Sequence, residues 1–264
     1  MFTKWIKAPF LHKNLFWGFV NQEIRGKYVG SFGGLLWSII TPIANMLIFI
    51  FVFSAVFQIR MKQIETGTDS FVVYLLAGLL PWIAFNDVVS ASTGMFLGKA
   101  NLITKVAFPL ELVPAAGIFV TFILNGIGFT LFLLYLTFEG YCHVAWLMLP
   151  IVTALFMVFT LGIVVFIASL SVFVRDIQQI IGSILSLMMY LTPILYPIHM
   201  VPESLRFLLL VNPVLPFIEL YHQVLLQHVI SFELIGQAIG YAAISFVFGV
   251  WFYNRSRNAF ADVL

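Results

Sequence analysis

Charge is scarce in this chain. Asp, Glu, Lys and Arg make up 9% of its 264 residues, against ~25% in soluble domains. That shortage excludes an ordinary soluble domain, and the few carboxylates are scattered singly rather than clustered. With a single cysteine, Cys142, no intrachain disulfide can form. Metal-site spacing is nearly absent too. Glu219 and His222 have the Glu-x-x-His spacing, but a carboxylate-bridged site needs two such motifs and further glutamates. His143, His199 and His228 do not supply them. No phosphate-binding loop is present: Gly94 and Gly98 have three residues between them, and Ala100 follows Lys99, whereas the motif requires Gly-x-x-x-x-Gly-Lys-Ser/Thr. No Ser-His-Asp arrangement and no basic groove for nucleic acid can be traced.

What the chain has instead is long apolar runs. Hydrophobic residues reach 62% and mean hydropathy is +1.06. Crossing ~30 Å of hydrocarbon takes ~20 apolar residues in a helix, and lipid offers no partner for an unpaired backbone group. The runs place spans at approximately 33–57, 71–95, 112–138, 146–173, 177–198 and 233–253. The expected fold class is therefore an all-α membrane protein with six transmembrane helices. Those spans and their connections nearly fill the chain, so residues 1–264 read as a single membrane domain. A cleavable signal peptide is not expected, because Pro9, His12 and Lys13 interrupt any apolar core behind Lys4 and Lys7.

Basic residues set the orientation. With a cytoplasmic N-terminus the inner segments hold Lys4, Lys7, Lys13, Arg25, Lys27, Lys99, Lys105, Arg175, Arg255 and Arg257, and the outer loops only Arg60, Lys62 and Arg206. Six spans return the C-terminus to the cytoplasm. Trp37 and Trp251 then lie at inner ends and Trp146 at an outer end, where amphipathic rings prefer to sit.

Residues 12–28 form a different kind of segment. Phe16, Val20, Ile24 and Tyr28 recur every fourth residue and share one helical face, with Asn14, Gly18, Asn21 and Arg25 on another. The pattern predicts an amphipathic helix in the inner interface, its apolar face seeking lipid or the first span. Its polar face is either a simple electrostatic anchor or a docking surface for a cytoplasmic partner. Two inner turns could add contacts. One carries Lys99, Asn101 and Lys105 and leads to Pro109. The other is Arg175-Asp176, where Asp176 would N-cap the following helix with Gln179 at N3.

Residues 199–230 are apolar in part but broken by Pro213 and Pro216. Their longest apolar run is about a dozen residues, too short to span. Short re-entrant helices before the last span are expected, acting as a passive plug or as a gate at the outer mouth that includes Asn212, Pro213 and Pro216. Asp87 interrupts the second span ~24 Å beyond Phe71, close to the inner surface, where a nearby lysine would moderate its cost.

Several stretches together resemble one family. They are Gln22-Glu23-Ile24-Arg25-Gly26-Lys27-Tyr28-Val29-Gly30-Ser31, Gly34-Leu35-Leu36-Trp37-Ser38, Leu76-Ala77-Gly78-Leu79-Leu80-Pro81-Trp82, Lys105-Val106-Ala107-Phe108-Pro109, Val174-Arg175-Asp176-Ile177 and Asn212-Pro213. In this order they are similar to ABC-transporter permeases that export polysaccharides or polyol phosphates, with O-antigen export permeases nearest and capsule and teichoic-acid exporters as relatives. The resemblance implies a homodimer with two copies of a separate ATPase subunit, which would hold the ATP and Mg while this chain binds no cofactor. It implies a polyprenyl-diphosphate-linked glycan as substrate, an inner-membrane location, and no enzymatic activity of the chain itself. It also implies ATPase-coupling roles for Arg25, Lys99, Asn101, Lys105, Arg175 and Asp176. Sugar C–H faces pack on aromatic rings, so Tyr74, Trp82 and Phe85 in the second span are candidates for the channel or glycan contact. A membrane-embedded polyprenyl-phosphate transferase would need acidic metal-binding clusters, and a secondary transporter would show repeated halves with ionisable residues in broken spans. Neither pattern is evident.

Overall fold

The computed structural model describes residues 2–28, 33–101 and 108–263. Gly30, Ser31 and Lys105, singled out above, lie outside the described residues. Among those described the chain is helical throughout, with an isolated antiparallel bridge between Arg60 and Ser70 in place of any strand.

Two helices precede the first span. Helix α1, Phe2–Leu11, was not expected, and α2 runs Lys13–Tyr28. The backbone is nearly continuous between them, with His12 N donating to Ala8 O and Phe16 N to His12 O, both at 2.9 Å. Burial of Trp5 edge-on against Tyr253, ring centroids 5.0 Å apart, holds α1 in place despite Pro9. The apolar face of α2 finds protein rather than lipid. Val20 is buried among Ala116, Val120 and Leu124 of the third span, with Phe16 and Ile24 beside it.

Among the described residues five helices are long and apolar enough to cross a membrane: Trp37–Val56, Phe71–Met95, Leu112–Phe138, Val144–Phe173 and Phe232–Ala259. The first is α3, Trp37–Phe49, continued by a wide π turn over Ile50–Val56. After a short loop helix α4, Gln63–Thr66, come α5, Phe71–Met95, and α6, Leu112–Phe138. Helix α7, Leu149–Phe173, is entered through a 3-10 turn at Val144–Met148. Ser70 and Ser231 open α5 and the last span by accepting hydrogen bonds from Val73 N and Leu234 N, both at 3.4 Å.

The expected span at 177–198 is shorter in the structure. Helix α8 is Ile177–Leu191, 15 residues, or ~22 Å of rise. It stops because Pro193 disfavours helical geometry at the residue before it, and Thr192 is accordingly extended (φ −97°, ψ 138°). The following segment is two short helices, α9, Arg206–Leu210, and α10, Leu215–His222, the latter extended by a π turn over Gln223–Gln227. Helix α11, Phe232–Ser256, and a last turn, α12, Phe260–Val263, complete the chain.

Helix α5 is the hub. In its most apolar stretch 78% of residues are buried, against none in α3. Around it Phe85, Phe156, Phe159 and Phe217 stack with centroids 4.8–6.0 Å apart, joining α5, α7 and α10. Hydrocarbon supplies no hydrophobic drive between helices in lipid, so close packing must hold them. The tightest contact is α7 on α11. A side chain at Gly162 or Gly249 would overlap the opposite backbone, and Ser245 Oγ donates to Phe159 O at 2.9 Å across the same seam.

Candidate functional site

The polar residues of this bundle collect at its two ends. At the end carrying the termini, α2 turns Arg25 outward. The turn after α5 brings Lys99 to it: Lys99 Nζ lies 3.7 Å from Glu23 Oε1 and 5.7 Å from the centre of the Phe19 ring. An ammonium held over an aromatic face and beside a carboxylate fastens the loop to the helix. Arg25 stays exposed, its Nε donating to Asn21 Oδ1 at 3.2 Å. Asn101 is exposed as well, and so are Arg175 and Asp176 in the tight turn between α7 and α8. The N-cap expected of Asp176 is absent. Its backbone is helical (φ −66°, ψ −15°) and its side chain makes no capping bond. A true N-cap needs an extended backbone to aim its oxygen at the next turn, and so short a turn leaves no room for one. The carboxylate is therefore free to face outward.

The opposite end is organised by the proline-broken segment. Asn212 is buried and does two things. Its Nδ2 donates to Thr192 Oγ1 at 2.7 Å, and its Oδ1 accepts from Val214 N at 3.0 Å. The first bond ties the segment to the end of α8, and the second forms an Asx turn that starts α10. Pro216 is buried in the first turn of α10, where its missing N–H costs nothing, and Pro213 is half-buried beside it. From there α10 drives inward, burying Leu215 through Leu220 apart from Glu219, whereas α9 leaves Phe207 and Leu208 exposed. Tyr74, at the same end of α5, donates through its hydroxyl to Pro193 O at 3.2 Å. Glu65 of α4 meets His199 Nε2 at 2.7 Å, and these residues with Arg206, Glu219 and Gln227 border a cavity of about 300 Å³.

Glu219 and His222, flagged by spacing alone, turn out to be packing residues. His222 is fully buried, stacks on the Tyr74 ring at 4.1 Å and donates from Nε2 to Tyr74 O at 3.1 Å. Its Nδ1 lies 3.7 Å from Glu219 Oε1. Among the described residues no group of three His, Cys, Asp or Glu side chains could hold a metal ion. His143 and His228 stack at 4.5 Å in the loops of this end. Burial, helped by the neighbouring His143, pushes the His228 imidazole below its usual range.

Tyr74, Trp82 and Phe85 all lie inside the helix packing, exposed by 2%, 2% and 1%. They meet protein of this chain on every side. Phe51, Phe57 and Tyr190, on or just beyond α3 and α8, are each more than 60% exposed. Asp87 finds a partner that spacing did not suggest, Asn125 Nδ2 of α6, at 3.2 Å. Glu23, Glu65 and Thr192 were likewise missed. Each acts through a residue distant in sequence, and no local pattern marks such a pair.

The ABC-2 type transporter family profile matches residues 14–226. An O-antigen export system permease protein RfbA of Myxococcus xanthus is 30% identical over 230 residues, 84% of each chain. A protein of the same name from Klebsiella pneumoniae is 26% identical over 250 residues, 92% of each. The polysialic acid transport protein KpsM of Escherichia coli is 25% identical over 213 residues, 80% of each.

Proposed function

Because this chain belongs to the ABC-2 type transporter family, we propose that it is the membrane subunit of an ATP-driven exporter of an O-antigen-like polysaccharide linked to polyprenyl diphosphate. The observation that carries this reading is the match to O-antigen export permeases along most of the chain, loops included. A capsule exporter is the second reading, favoured by the similarity to KpsM. The chain works in the inner membrane as a homodimer with both termini cytoplasmic. Two copies of a separate ATPase bind ATP and Mg beneath it.

The physical problem of such a substrate is that its glycan cannot enter lipid while its carrier cannot leave it. A channel between two subunits, open sideways to the membrane, meets both needs. Support for its position comes from α3 and α8, which bury almost nothing within one subunit: no residue of α3 and only Leu185 of α8. These two helices form the dimer channel, and Phe51, Phe57 and Tyr190 offer the ring faces that sugars meet. Tyr74, Trp82 and Phe85 stiffen the wall behind them, reaching glycan only if α5 and its neighbours part. Asn212, Pro213 and Pro216 belong to the outer gate. Arg25, Lys99, Asn101, Lys105, Arg175 and Asp176 couple this chain to the ATPase.

Deleting the gene tests the reading. Lipid-linked glycan should accumulate inside the cell while surface polymer disappears. Unchanged surface polymer refutes it.

A further inference from the structure

A cavity at the terminal end of the bundle has no part in the transport reading. Its volume is about 420 Å³, and Lys7, Leu11, His12, Phe108, Glu111 and Arg257 are among its walls. Its position is fixed by burial of Trp5 against Tyr253, near the end of the last span. The single carboxylate, Glu111, lies 3.9 Å from Arg257 Nη1 and is largely buried. Among the described residues no carboxylate pairs with Lys7. The pocket therefore has more cationic groups than its own acid can balance.

Its other half is apolar, through Leu11 and Phe108. Outside the rim Phe10 and Leu11 are 82% and 78% exposed, and Leu15 and Trp17 follow on the next helix at 49% each. A cationic pocket walled by exposed Leu11, with exposed Phe10 next to it in the chain, has the make-up of a helix lying in a membrane interface. We propose that this cavity holds the headgroup of an anionic phospholipid from the leaflet at the terminal end. The phosphate sits between Lys7, His12 and Arg257, and an acyl chain runs along Leu11 and Phe10. A free phosphate would use only the cationic half. A docked protein surface would have to displace lipid from Phe10 and Leu11.

The test uses the full-length chain purified in neutral detergent, with bound lipid counted by native mass spectrometry. Phosphatidylglycerol should be retained in preference to phosphatidylcholine. The exposed-site variant Lys7→Gln should weaken that retention about fivefold, the effect of one cation near an anionic surface. Lys7→Gln with His12→Gln should weaken it further, and Lys62→Gln at the far end should change nothing. Equal retention of the two lipids, or wild-type retention in Lys7→Gln, overturns the proposal. So does displacement of phosphatidylglycerol by millimolar inorganic phosphate, by a polyprenyl monophosphate, or by an ATPase subunit bound at this pocket. If the double variant cannot be purified, Lys7→Gln alone decides.

Discussion

Replacing Asn212 with alanine should loosen the proline-broken segment without unfolding the bundle. The side chain makes two buried hydrogen bonds, to Thr192 Oγ1 and from Val214 N. Thr192 survives the loss well, because its hydroxyl still donates to Met188 O at 2.7 Å. The Val214 amide is left buried at the start of α10 with its Asx turn gone. An unsatisfied buried group costs about 1–3 kcal/mol, and the second bond about 1 kcal/mol more, so Asn212→Ala should lose about 2–4 kcal/mol locally. Thr192→Val removes the bond from Asn212 Nδ2 and the hydroxyl's own bond to Met188 O but leaves the Asx turn at Val214 in place. It should therefore loosen residues 214–227 less, and the double variant should cost less than the sum of the two. Hydrogen exchange followed by mass spectrometry is the assay. Amides of residues 214–227 should exchange faster in Asn212→Ala, while those of α7 and α11 stay protected. Unchanged exchange in 214–227 would refute the assignment of Asn212 as the pin, and uniform acceleration throughout the bundle would show it to be a global core residue instead.

Two further outcomes concern the terminal end. Arg25→Lys should reduce export substantially and Arg25→Glu more so, at matched protein levels, if its guanidinium grips a carboxylate or diphosphate with both arms; normal export by both variants reduces α2 to an anchor. Lys99→Ala breaks a partly exposed ion pair worth about 0–1 kcal/mol, so thermal stability should hardly move while substrate-stimulated ATP hydrolysis falls; a large stability loss with intact stimulation would make Lys99 a structural fastener only.

Much of this architecture was legible because lipid leaves the backbone few options. The ranges read for the second and third spans, 71–95 and 112–138, coincide with α5 and α6. The face of each helix was harder. From Phe71 to Leu79 helix α5 is buried all round, so its periodicity there carries no direction. Trp82 follows Phe71 by eleven residues, ~16 Å along a helix, which puts it near the midplane but does not say which neighbour it meets. The reach of α8 was overestimated because hydropathy continues past Pro193, although the proline ends the helix there. Helix α1 was hidden by Pro9, which local rules read as a break and which the burial of Trp5 overrides. The partner of α2 is a tertiary fact of the same kind: its apolar stripe was plain, but only the fold shows Ala116, Val120 and Leu124 waiting for it. The pairs Glu23–Lys99, Glu65–His199 and Asn212–Thr192 depend on which loops meet, which hydropathy does not encode.

The central claim is that this chain moves a lipid-linked glycan when a partner hydrolyses ATP. Inverted inner-membrane vesicles containing the protein and its ATPase, loaded on their outer leaflet with polyprenyl-diphosphate-linked glycan, measure this directly. With ATP and Mg the glycan should become inaccessible to added glycosidase, and it should stay accessible with a non-hydrolysable nucleotide or without this chain. Protection that develops equally without ATP hydrolysis, or none when both proteins are present, would contradict the account.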